Sequence, residues 1–347
     1  MKVIFMPNNT ASLASVHIKE LRKLGVDAVG YNLTPKKQTS LDSIKSMPTK
    51  GLGRKVHFFY SFLKDLLSSD VIHWMYGGQS LSTKLLLALV APMKKKKFVE
   101  YCGSDIRSLE MLCDDVPGYT VQQFIDEGLE SLGLLNKSLA TQRRFKKAGF
   151  VAMVSYPELV EYVNSEINPK FHLISRSVDL EKLNPDPKST NKVPLIVHGP
   201  SNPKVKGTKY VIDALDRLKA EGKADYKLLQ NMPHAELLEY LNKADIVIDQ
   251  VVAGDYGVFA IEAMALGKPV VCFIRPKVEA YYKEHYEDFP IVNADRHNLY
   301  EVLEELCSST DLGKIGERGL EFARKYHDAR VNAKNLQTIY EDGYFIA

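Results

Sequence analysis

The sequence predicts an α/β protein made of two doubly wound parallel-sheet domains. Short apolar runs alternate with helical patterns along the chain, which is typical of βαβ units and a parallel sheet. The runs are largely apolar rather than alternating with polar residues, as expected when helices cover both faces of a sheet. A length of 347 residues is also too long for one ordinary core.

A proline-rich segment divides the chain. Residues 184–194 read NPDPKSTNKVP, with three prolines among short polar residues, a composition typical of a linker. The alternation of apolar runs and helical patterns starts again after this segment. We therefore expect a first domain over residues 1–183 and a second over residues 184–328.

The same patterns place the individual elements. In the first domain they predict strands at 3–6, 28–31, 71–74, 98–101 and 151–154, and helices at 15–24, 52–67, 81–93 and 121–147. In the second half they predict strands at 195–198, 226–230, 246–249, 270–273 and 291–292, and helices at 208–219, 234–242, 258–266, 299–307, 312–326 and 329–340.

The composition is that of a globular protein, with 45% hydrophobic and 26% charged residues. The net charge of +3 argues against a dedicated nucleic-acid binder, whose domain is usually strongly basic. The four cysteines are not spaced as C-x-x-C, so they suggest neither a zinc site nor a redox pair, and their scatter fits a reducing cytoplasm. No signal peptide and no apolar segment of about 18 residues is visible, so we expect a cytoplasmic protein.

Residues 254–271, GDYGVFAIEAMALGKPVV, form the most informative stretch of the chain. Two glycines allow a close backbone approach, and the helix that follows directs free N–H groups toward its start. Such a loop is a ready anion site, most often for phosphate. One carboxylate, Glu262, interrupts the apolar helix and needs a partner there. The alternative is a tight turn before a core helix whose glutamate caps a neighbour.

A second loop, VHGPSNPKVKGT at 197–208, follows another predicted strand. Lys204 and Lys206 lie in this loop, and Gly207 and Thr208 begin the next helix. Lysines at the carboxyl end of a parallel strand suit a diphosphate, although the segment is not a P-loop. The alternative is a solvated lysine loop. Both loops leave strands of one domain at the same edge, which favours a shared phosphate site.

Together, HGPSNPKVKGTKYVIDAL, ADIVIDQ and GDYGVFAIEAMALGKPVV resemble the nucleotide-binding half of GT-B glycosyltransferases. They are most similar to the large retaining family of bacterial lipopolysaccharide and capsule transferases, the family 4-like enzymes with a KGT signature. The likeness is specific over residues 195–275. In the first half it rests on architecture and on FVEYCGSDIRS at 98–108. It implies two Rossmann-like domains facing each other across a cleft, with residues 329–347 packing back on the first.

The resemblance assigns site residues in the second domain. Lys206 is expected to contact the donor diphosphate, and Glu262 matches the second glutamate of the E-x7-E motif that holds the donor ribose. Residues predicted to bind the diphosphate are Asn9, Ser201, Lys204, Lys206, Tyr256, Gly257 and Val258. Residues predicted to bind the ribose and base are Glu262, Gln230, Asn231 and Met232.

Three positions depart from the family pattern. Gly254 stands where the motif has its first glutamate, so we expect Asp255 either to grip the donor sugar instead or to leave that role unfilled. Ser201 lies near the usual arginine position, so Lys204 is expected to supply the second positive charge. Cys102 stands where many relatives have a histidine.

Polar and aromatic residues follow two strands of the first domain. Ser104, Asp105 and Arg107 follow the predicted strand at 98–101, where they are expected to meet a sugar or a phosphate; the alternative is an ion pair that stabilises the loop. Trp74 and Tyr76 lie beside glycines, which suits a carbohydrate face, although Trp74 fits the core equally well.

The basic run Lys94–Lys97 has two interpretations. Most such runs are solvated faces. An anionic membrane surface that carries a lipid-linked acceptor is the other partner to consider, with the basic loop at 36–55 extending the patch.

The resemblance implies a retaining, metal-independent hexosyltransferase with no protein-bound cofactor. Its donor is expected to be a UDP- or GDP-linked sugar, and its acceptor a saccharide or a polyprenyl- or other lipid-linked molecule. Lys206 and the helix start near Gly257 would stabilise the departing diphosphate, and Asp105 and Asp255 complete the predicted catalytic set.

Two other functions stay open. One is a degenerate protein that binds sugar nucleotides without turnover, and the other is a sugar-nucleotide epimerase or a phosphorylase on the same scaffold. A dinucleotide-dependent dehydrogenase is poorly supported, because no G-x-G-x-x-G follows either leading strand.

Overall fold

The fold is described from a computed structural model. It describes residues 1–8, 13–33, 43–76, 80–116, 119–129, 133–185 and 191–342. Three parts of the predicted sites lie outside these ranges: Asn9, residues 186–190 of the linker and residues 36–42 of the basic loop. The described residues form two compact units, one within Met1–Leu112, Glu130–Ser177 and Ala329–Ala347, the other within Cys113–Leu129 and Val178–Asp328.

The first unit contains a seven-stranded sheet in the order β3-β2-β1-β4-β5-β6-β7. Every neighbouring pair is parallel. The strands are β1 (Lys2–Met6), β2 (Asp27–Asn32), β3 (Ile44–Ser46), β4 (Val71–Met75), β5 (Lys96–Tyr101), β6 (Val151–Val154) and β7 (Phe171–Leu173).

Helices cover both faces of this sheet. They are α1 (Leu13–Lys23), α2 (Leu52–Ser68), α3 (Leu81–Val90), α6 (Leu135–Lys147) and α14 (Ala329–Asp342), while α4 (Leu109–Asp115) runs from this unit into the other. Alternate residues of a strand face opposite sides. Ile4 and Met6 of β1 therefore join the core under α2, α3 and α6, whereas Val3 and Phe5 join the core under α1 and α14.

The second unit contains a five-stranded parallel sheet in the order β12-β11-β10-β8-β9. Its strands are β8 (Leu195–His198), β9 (Asp225–Leu228), β10 (Ile246–Ile248), β11 (Val270–Cys272) and β12 (Val292–Asn293). Its helices are α5 (Val121–Asp126), α7 (Pro203–Lys206), α8 (Thr208–Ala220), α9 (His234–Lys243), α10 (Val258–Ala265), α11 (Pro276–His285), α12 (Leu299–Ser308) and α13 (Leu312–Tyr326).

The predicted fold class, two parallel α/β units, is confirmed. The structure adds β3 and β7, two edge strands of three residues each, and the helix α11. Strands this short carry almost no pattern, and α11 buries only Val278 and Tyr282, too few positions to show a helical repeat.

The four cysteines are free. Within the described residues, no helix is both long enough and apolar enough to cross a bilayer.

Candidate functional site

One buried carboxylate joins the two loops that the sequence singles out in the second unit. Asp249, directly after β10, forms an ion pair with the ammonium group of Lys206. Its other oxygen accepts a hydrogen bond from the backbone N–H of Gly257 at 2.6 Å. Asp249 is fully buried, and the Lys206 side chain is 12% exposed. Two groups predicted to bind a diphosphate, the Lys206 ammonium and the Gly257 N–H, therefore lie together on an aspartate that no motif of the sequence singles out.

Local structure fixes the backbone of Lys206. The short helix α7 begins with Pro203, and the side chain of Asn202 caps it. It ends at Gly207, whose φ of 71° is in the left-handed region and whose Cβ, if present, would lie 2.7 Å from methyl groups of Val251 and Val252. The carbonyl of Lys206 accepts from the N–H of Val251 at 3.1 Å. Only glycine fits where α7 meets the end of β10.

His198 fixes the strand from which this loop departs. The carbonyl of Ile248 can only accept, so Nδ1 donates to it at 2.9 Å, and Nε2 then accepts from the Thr208 hydroxyl at 2.9 Å. Burial lowers the pKa of His198 to about 4. The neutral imidazole thus ties β8 to β10 and to the start of α8 without adding charge beside Lys206.

Glu262 has a partner that the sequence did not predict. Seven of the eight residues of α10 are buried, Glu262 among them. Its Oε1 accepts a hydrogen bond from Nε2 of His234, the first residue of α9, at 2.7 Å. This hydrogen bond raises the pKa of His234, whose side chain is 64% exposed. The pair opens to solvent through the histidine, whereas the Glu262 side chain itself is only 11% exposed.

Arg275 explains why glycine replaces the expected glutamate at position 254. Gly254 has a φ of 82°, and a Cβ there would lie 2.1 Å from Cγ of the fully buried Arg275. The guanidinium of Arg275 donates to Asp115 at 3.2 Å, and the N–H of Lys277 donates to the same carboxylate at 3.2 Å. The space that a side chain would need is filled by an arginine held within the second unit.

The side chains of Asp255 and Tyr256 face the interior. Asp255 accepts from the Tyr282 hydroxyl at 3.0 Å, and the Tyr256 hydroxyl lies 3.0 Å from Nε2 of His327. Both residues are 2% exposed. The tyrosine ring therefore faces the core, and the prediction for Tyr256 concerns its backbone N–H group, which the burial of the ring does not test. The burial of Asp255 favours support of the loop over a grip on a sugar.

The remaining predicted residues of the second unit lie nearer the surface. Gln230 and Asn231 are exposed after β9, and Met232 packs partly against the core. Ser201 is exposed. The side chain of Lys204 lies over Gly128, with Nζ 2.5 Å from the position of a Cβ there. Its charge is thus placed beside the 119–129 segment rather than in the Lys206–Asp249 pair.

In the first unit, the loop after β5 is held by its own hydrogen bonds. Asp105 accepts from the N–H groups of Cys102 and Gly103, at 3.1 and 2.8 Å. Arg107 makes a bidentate ion pair with Glu158, at 2.6 and 2.7 Å. The ion-pair alternative therefore describes Arg107, with a partner that the sequence did not indicate, and Asp105 serves as a turn cap.

Tyr76 and Ser104, two of the residues predicted to bind the acceptor, contact each other in this unit, whereas Trp74 lies in the core. The hydroxyls of Tyr76 and Ser104 lie 3.2 Å apart. Trp74 is fully buried against Phe145 and Phe150, and its indole N–H donates to the carbonyl of Tyr76 at 3.2 Å. Trp74 belongs to the core, which corrects the prediction that its ring faces a saccharide.

The basic run at 94–97 mainly serves the fold. Lys97 is buried and donates to the carbonyls of Ala91 and Ala148, each at 2.7 Å. Lys95 donates to carbonyls at the end of α2. Lys96 donates to carbonyls at the end of α14, at 2.6 and 2.9 Å. Three of the four lysines thus cap helix C-termini, where cations are stabilising, and the run by itself gives no evidence of a membrane patch.

No protein-family model matches the sequence, and no curated protein is similar enough to count as a relative. Solved structures do share its fold. Sucrose-phosphate synthase from Thermosynechococcus elongatus is 13% identical with a TM-score of 0.66, over 98% of this chain and 98% of that chain. HepE from Anabaena, in complex with UDP-glucose, is 13% identical with a TM-score of 0.64, over 98% and 99%.

An α-glucosyltransferase in complex with UDP and a 13-mer DNA containing a HMU base is 12% identical with a TM-score of 0.63, over 98% and 99%. With these neighbours, the two parallel sheets assign the chain to the GT-B fold. Likeness at this level of identity shows the fold alone.

Proposed function

We propose that this chain transfers a sugar from a nucleotide-diphosphate donor to a hydroxyl acceptor. The observation that carries the proposal is the cluster at the exits of β8 and β10, where Asp249 holds Lys206 and the start of α10. Glu262 lies on the same helix, just over one turn from Gly257. A cation, a helix start and a carboxylate in this order suit a diphosphate followed by a ribose.

In the proposed reaction, the bond between the anomeric carbon and the phosphate oxygen breaks. The acceptor oxygen forms the new bond to that carbon, and the acceptor proton passes to the leaving phosphate. Lys206 and the N-terminus of α10 stabilise the charge that develops on the diphosphate. Asp249 fixes the direction of the ammonium group, because it is buried and cannot move away with the ligand.

Glu262 is proposed to accept hydrogen bonds from the donor ribose. His234 occupies one carboxylate oxygen, and a carboxylate has further lone pairs for hydroxyl donors. Retention at the anomeric carbon and independence of metal are part of the proposal, supported by the sequence resemblance over residues 195–275. HepE was solved with UDP-glucose and the α-glucosyltransferase with UDP, so UDP is the first nucleotide to test.

The acceptor is proposed to be a saccharide or a lipid-linked saccharide of a cell-surface polymer or glycolipid. This rests on the sequence resemblance to lipopolysaccharide and capsule transferases. The neighbours show how widely acceptors differ on one fold, since one is named for sucrose phosphate and another is bound to DNA. A net charge of +3 on 347 residues favours a saccharide over a nucleic acid here.

Turnover separates this function from its rivals. The full chain is supplied with UDP-glucose, UDP-N-acetylglucosamine or GDP-mannose, with and without an acceptor mixture, and released nucleoside diphosphate is measured. We expect release that depends on acceptor. An epimerized sugar nucleotide formed without acceptor would support the epimerase, and binding without any product would support the degenerate binding protein.

Lys206→Ala is expected to lower kcat by about a hundredfold, the usual effect of removing one group that stabilises developing charge. Lys192→Ala is the matched control, because Lys192 is an exposed lysine of the same unit. Circular dichroism checks folding, and Lys206→Arg keeps a cation opposite the buried Asp249 if the alanine variant is unstable. Equal turnover in Lys206→Ala and Lys192→Ala would contradict the assignment.

A further inference from the structure

Two helices of the first unit expose an unusual amount of apolar surface. Of the 13 large apolar side chains that are exposed in the described part of the chain, nine lie on α2 and α3. Those on α2 are Leu52, Val56, Phe59, Tyr60, Leu63 and Leu67, between 43% and 81% exposed. Successive members lie one, three or four residues apart, and at about 100° per residue all six fall within roughly 100° of the helix circumference, which makes one stripe.

The helix α3 repeats the pattern. Leu81, Leu85 and Leu89 are 44% to 73% exposed and fall four residues apart. The inward side of α3 is formed by Thr83, Leu87 and Val90. The leucines therefore face away from the core that holds the helix in place.

These outward stripes are not needed to attach the helices. Phe58, Phe62 and Leu66 attach α2 to the sheet, and Leu87 and Val90 attach α3 to the same core. An apolar face in addition to the core-facing one is expensive to leave in water, and a patch of this kind usually marks an interaction surface.

The two stripes belong to one side of the unit. Both helices pack on the sheet face that contains Ile4 and Met6, and β4 connects them in sequence. Their C-terminal ends are capped by neighbouring lysines, Lys95 at α2 and Lys97 at α3.

The charges around the stripes are basic. Lys64 and Lys84 are exposed next to the stripes of their helices, whereas Arg54 is exposed on the other side of α2. The single acid of the two helices is Asp65. Burial alone would raise the pKa of Asp65, but hydrogen bonds from Lys2, Tyr31 and Lys45 hold it below its usual range. Its charge is therefore already compensated, and the surface has a positive excess.

We propose that the outward surface of α2 and α3 docks on a bilayer that contains anionic lipid. Apolar stripes flanked by Lys and Arg are the pattern of helices that lie in the membrane interface, and lipid phosphates complement the flanking charges. A second copy of the chain suits the surface less well, because two copies would bring like charges together. The proposal is independent of the donor chemistry, since it rests on the first unit alone.

Flotation of the full chain with vesicles tests the proposal. Vesicles of phosphatidylcholine alone are compared with vesicles of phosphatidylcholine and phosphatidylglycerol at low salt. We expect the chain to float with the anionic vesicles, and to do so less with the neutral ones or at high salt. Failure to float with either kind of vesicle would overturn the proposal.

Variants locate the contact. Leu85→Glu and Val56→Glu each place a charge on a stripe without touching the core, and each is expected to lower the vesicle-bound to free ratio at least about tenfold. Val331→Glu is the matched control, because Val331 is 43% exposed on α14 of the same unit. Equal losses in all three variants, or none in the first two, would overturn the assignment of the surface.

The oligomeric state decides between lipid and a second copy. Sedimentation velocity without vesicles is expected to give the same mass for the wild-type chain and for Leu85→Glu. A dimer that Leu85→Glu dissociates would assign the surface to self-association and overturn the lipid proposal.

Discussion

Asp249 shows, at the scale of single residues, what the sequence does and does not indicate. Lys206 and Gly257 belong to recognisable loops, and both were predicted as site residues. Asp249 ends an apolar run, where a carboxylate has many possible roles, and its partners are 43 and eight residues away. The same holds for Glu262, whose need for a partner was predicted, although nothing in the local sequence selects His234, 28 residues away.

The first prediction concerns the His234–Glu262 pair. The hydrogen bond from His234 to Glu262 raises the histidine pKa, whereas burial acts to lower it. In Glu262→Gln the carboxylate is lost, whereas the burial of His234 stays. The pKa of His234 should therefore fall to its ordinary value or below. NMR titration of the His234 ring, assigned with His234→Gln, measures the change. An unchanged pKa would mean that the pair does not form in solution.

The second prediction concerns Gly254. Gly254→Ala should lower the free energy of unfolding by well over 1 kcal/mol, because the methyl group adds overlap with Arg275 to the strain of a positive φ. Gly222→Ala is the control in the same unit, since Gly222 has a φ of 70° and nothing within 4 Å. Chemical denaturation of both variants compares them. An equal decrease in the free energy of unfolding of both variants would show that Arg275 can move aside and does not exclude a side chain at position 254.

At the scale of elements, the spacing of apolar residues predicts a helix or strand well where that element buries apolar side chains at regular intervals. Most strands of both sheets were predicted nearly in place, since they are apolar runs. The bounds of β9 were less accurate, because Asp225 and Lys227 are exposed in it. The helix predicted over 121–147 is instead two helices, α5 and α6, and they belong to different units. The break falls at Gly128 and Gly133, whose φ values of 77° and 97° are in the left-handed region that ends a helix. These two glycines are a local signal that the prediction of one long helix passed over.

The third prediction tests whether the lysine run caps helices. Lys97→Met should destabilise the first unit by about 2–3 kcal/mol, because two charge-assisted hydrogen bonds to buried carbonyls are lost. Lys94→Met should change stability by less than about 0.5 kcal/mol, as at most exposed positions. Thermal unfolding followed by circular dichroism measures both. A similar effect of the two substitutions would return the run to the role of a solvated face.

At the scale of the whole molecule, each unit contains a histidine that stays neutral when folded. Burial lowers the pKa of His172, in the first unit, and of His198, in the second, to about 4. The unfolded chain binds these protons near pH 6.5, so stability is fully present above that pH and falls as pH decreases toward 4. The pKa of His234 is raised, so this residue changes stability with pH in the opposite direction. Its contribution to stability is small, because its side chain is exposed to solvent.

The fourth prediction follows from that sign. Both units should unfold at lower temperature at pH 5 than at pH 7.5, and the free energy of unfolding of each unit should fall by about 3 kcal/mol as pH approaches 4. Calorimetry at a series of pH values measures the transitions. His172→Leu should weaken the pH dependence of the first unit and leave that of the second unit unchanged. Stability that rises between pH 7 and pH 5 would contradict the neutral state of both histidines.

Nucleotide binding by the second unit is the central claim, and a thermal-shift series on the full chain tests it most directly. UDP, GDP, ADP, CMP and NAD are compared on the wild-type chain, on Glu262→Ala and on the exposed control Glu305→Ala. One nucleoside diphosphate at about 100 times its Kd should stabilise the wild type and Glu305→Ala by roughly 2.7 kcal/mol, and Glu262→Ala far less. No shift with any nucleotide, or an equal shift in Glu262→Ala, would contradict the assignment of this site.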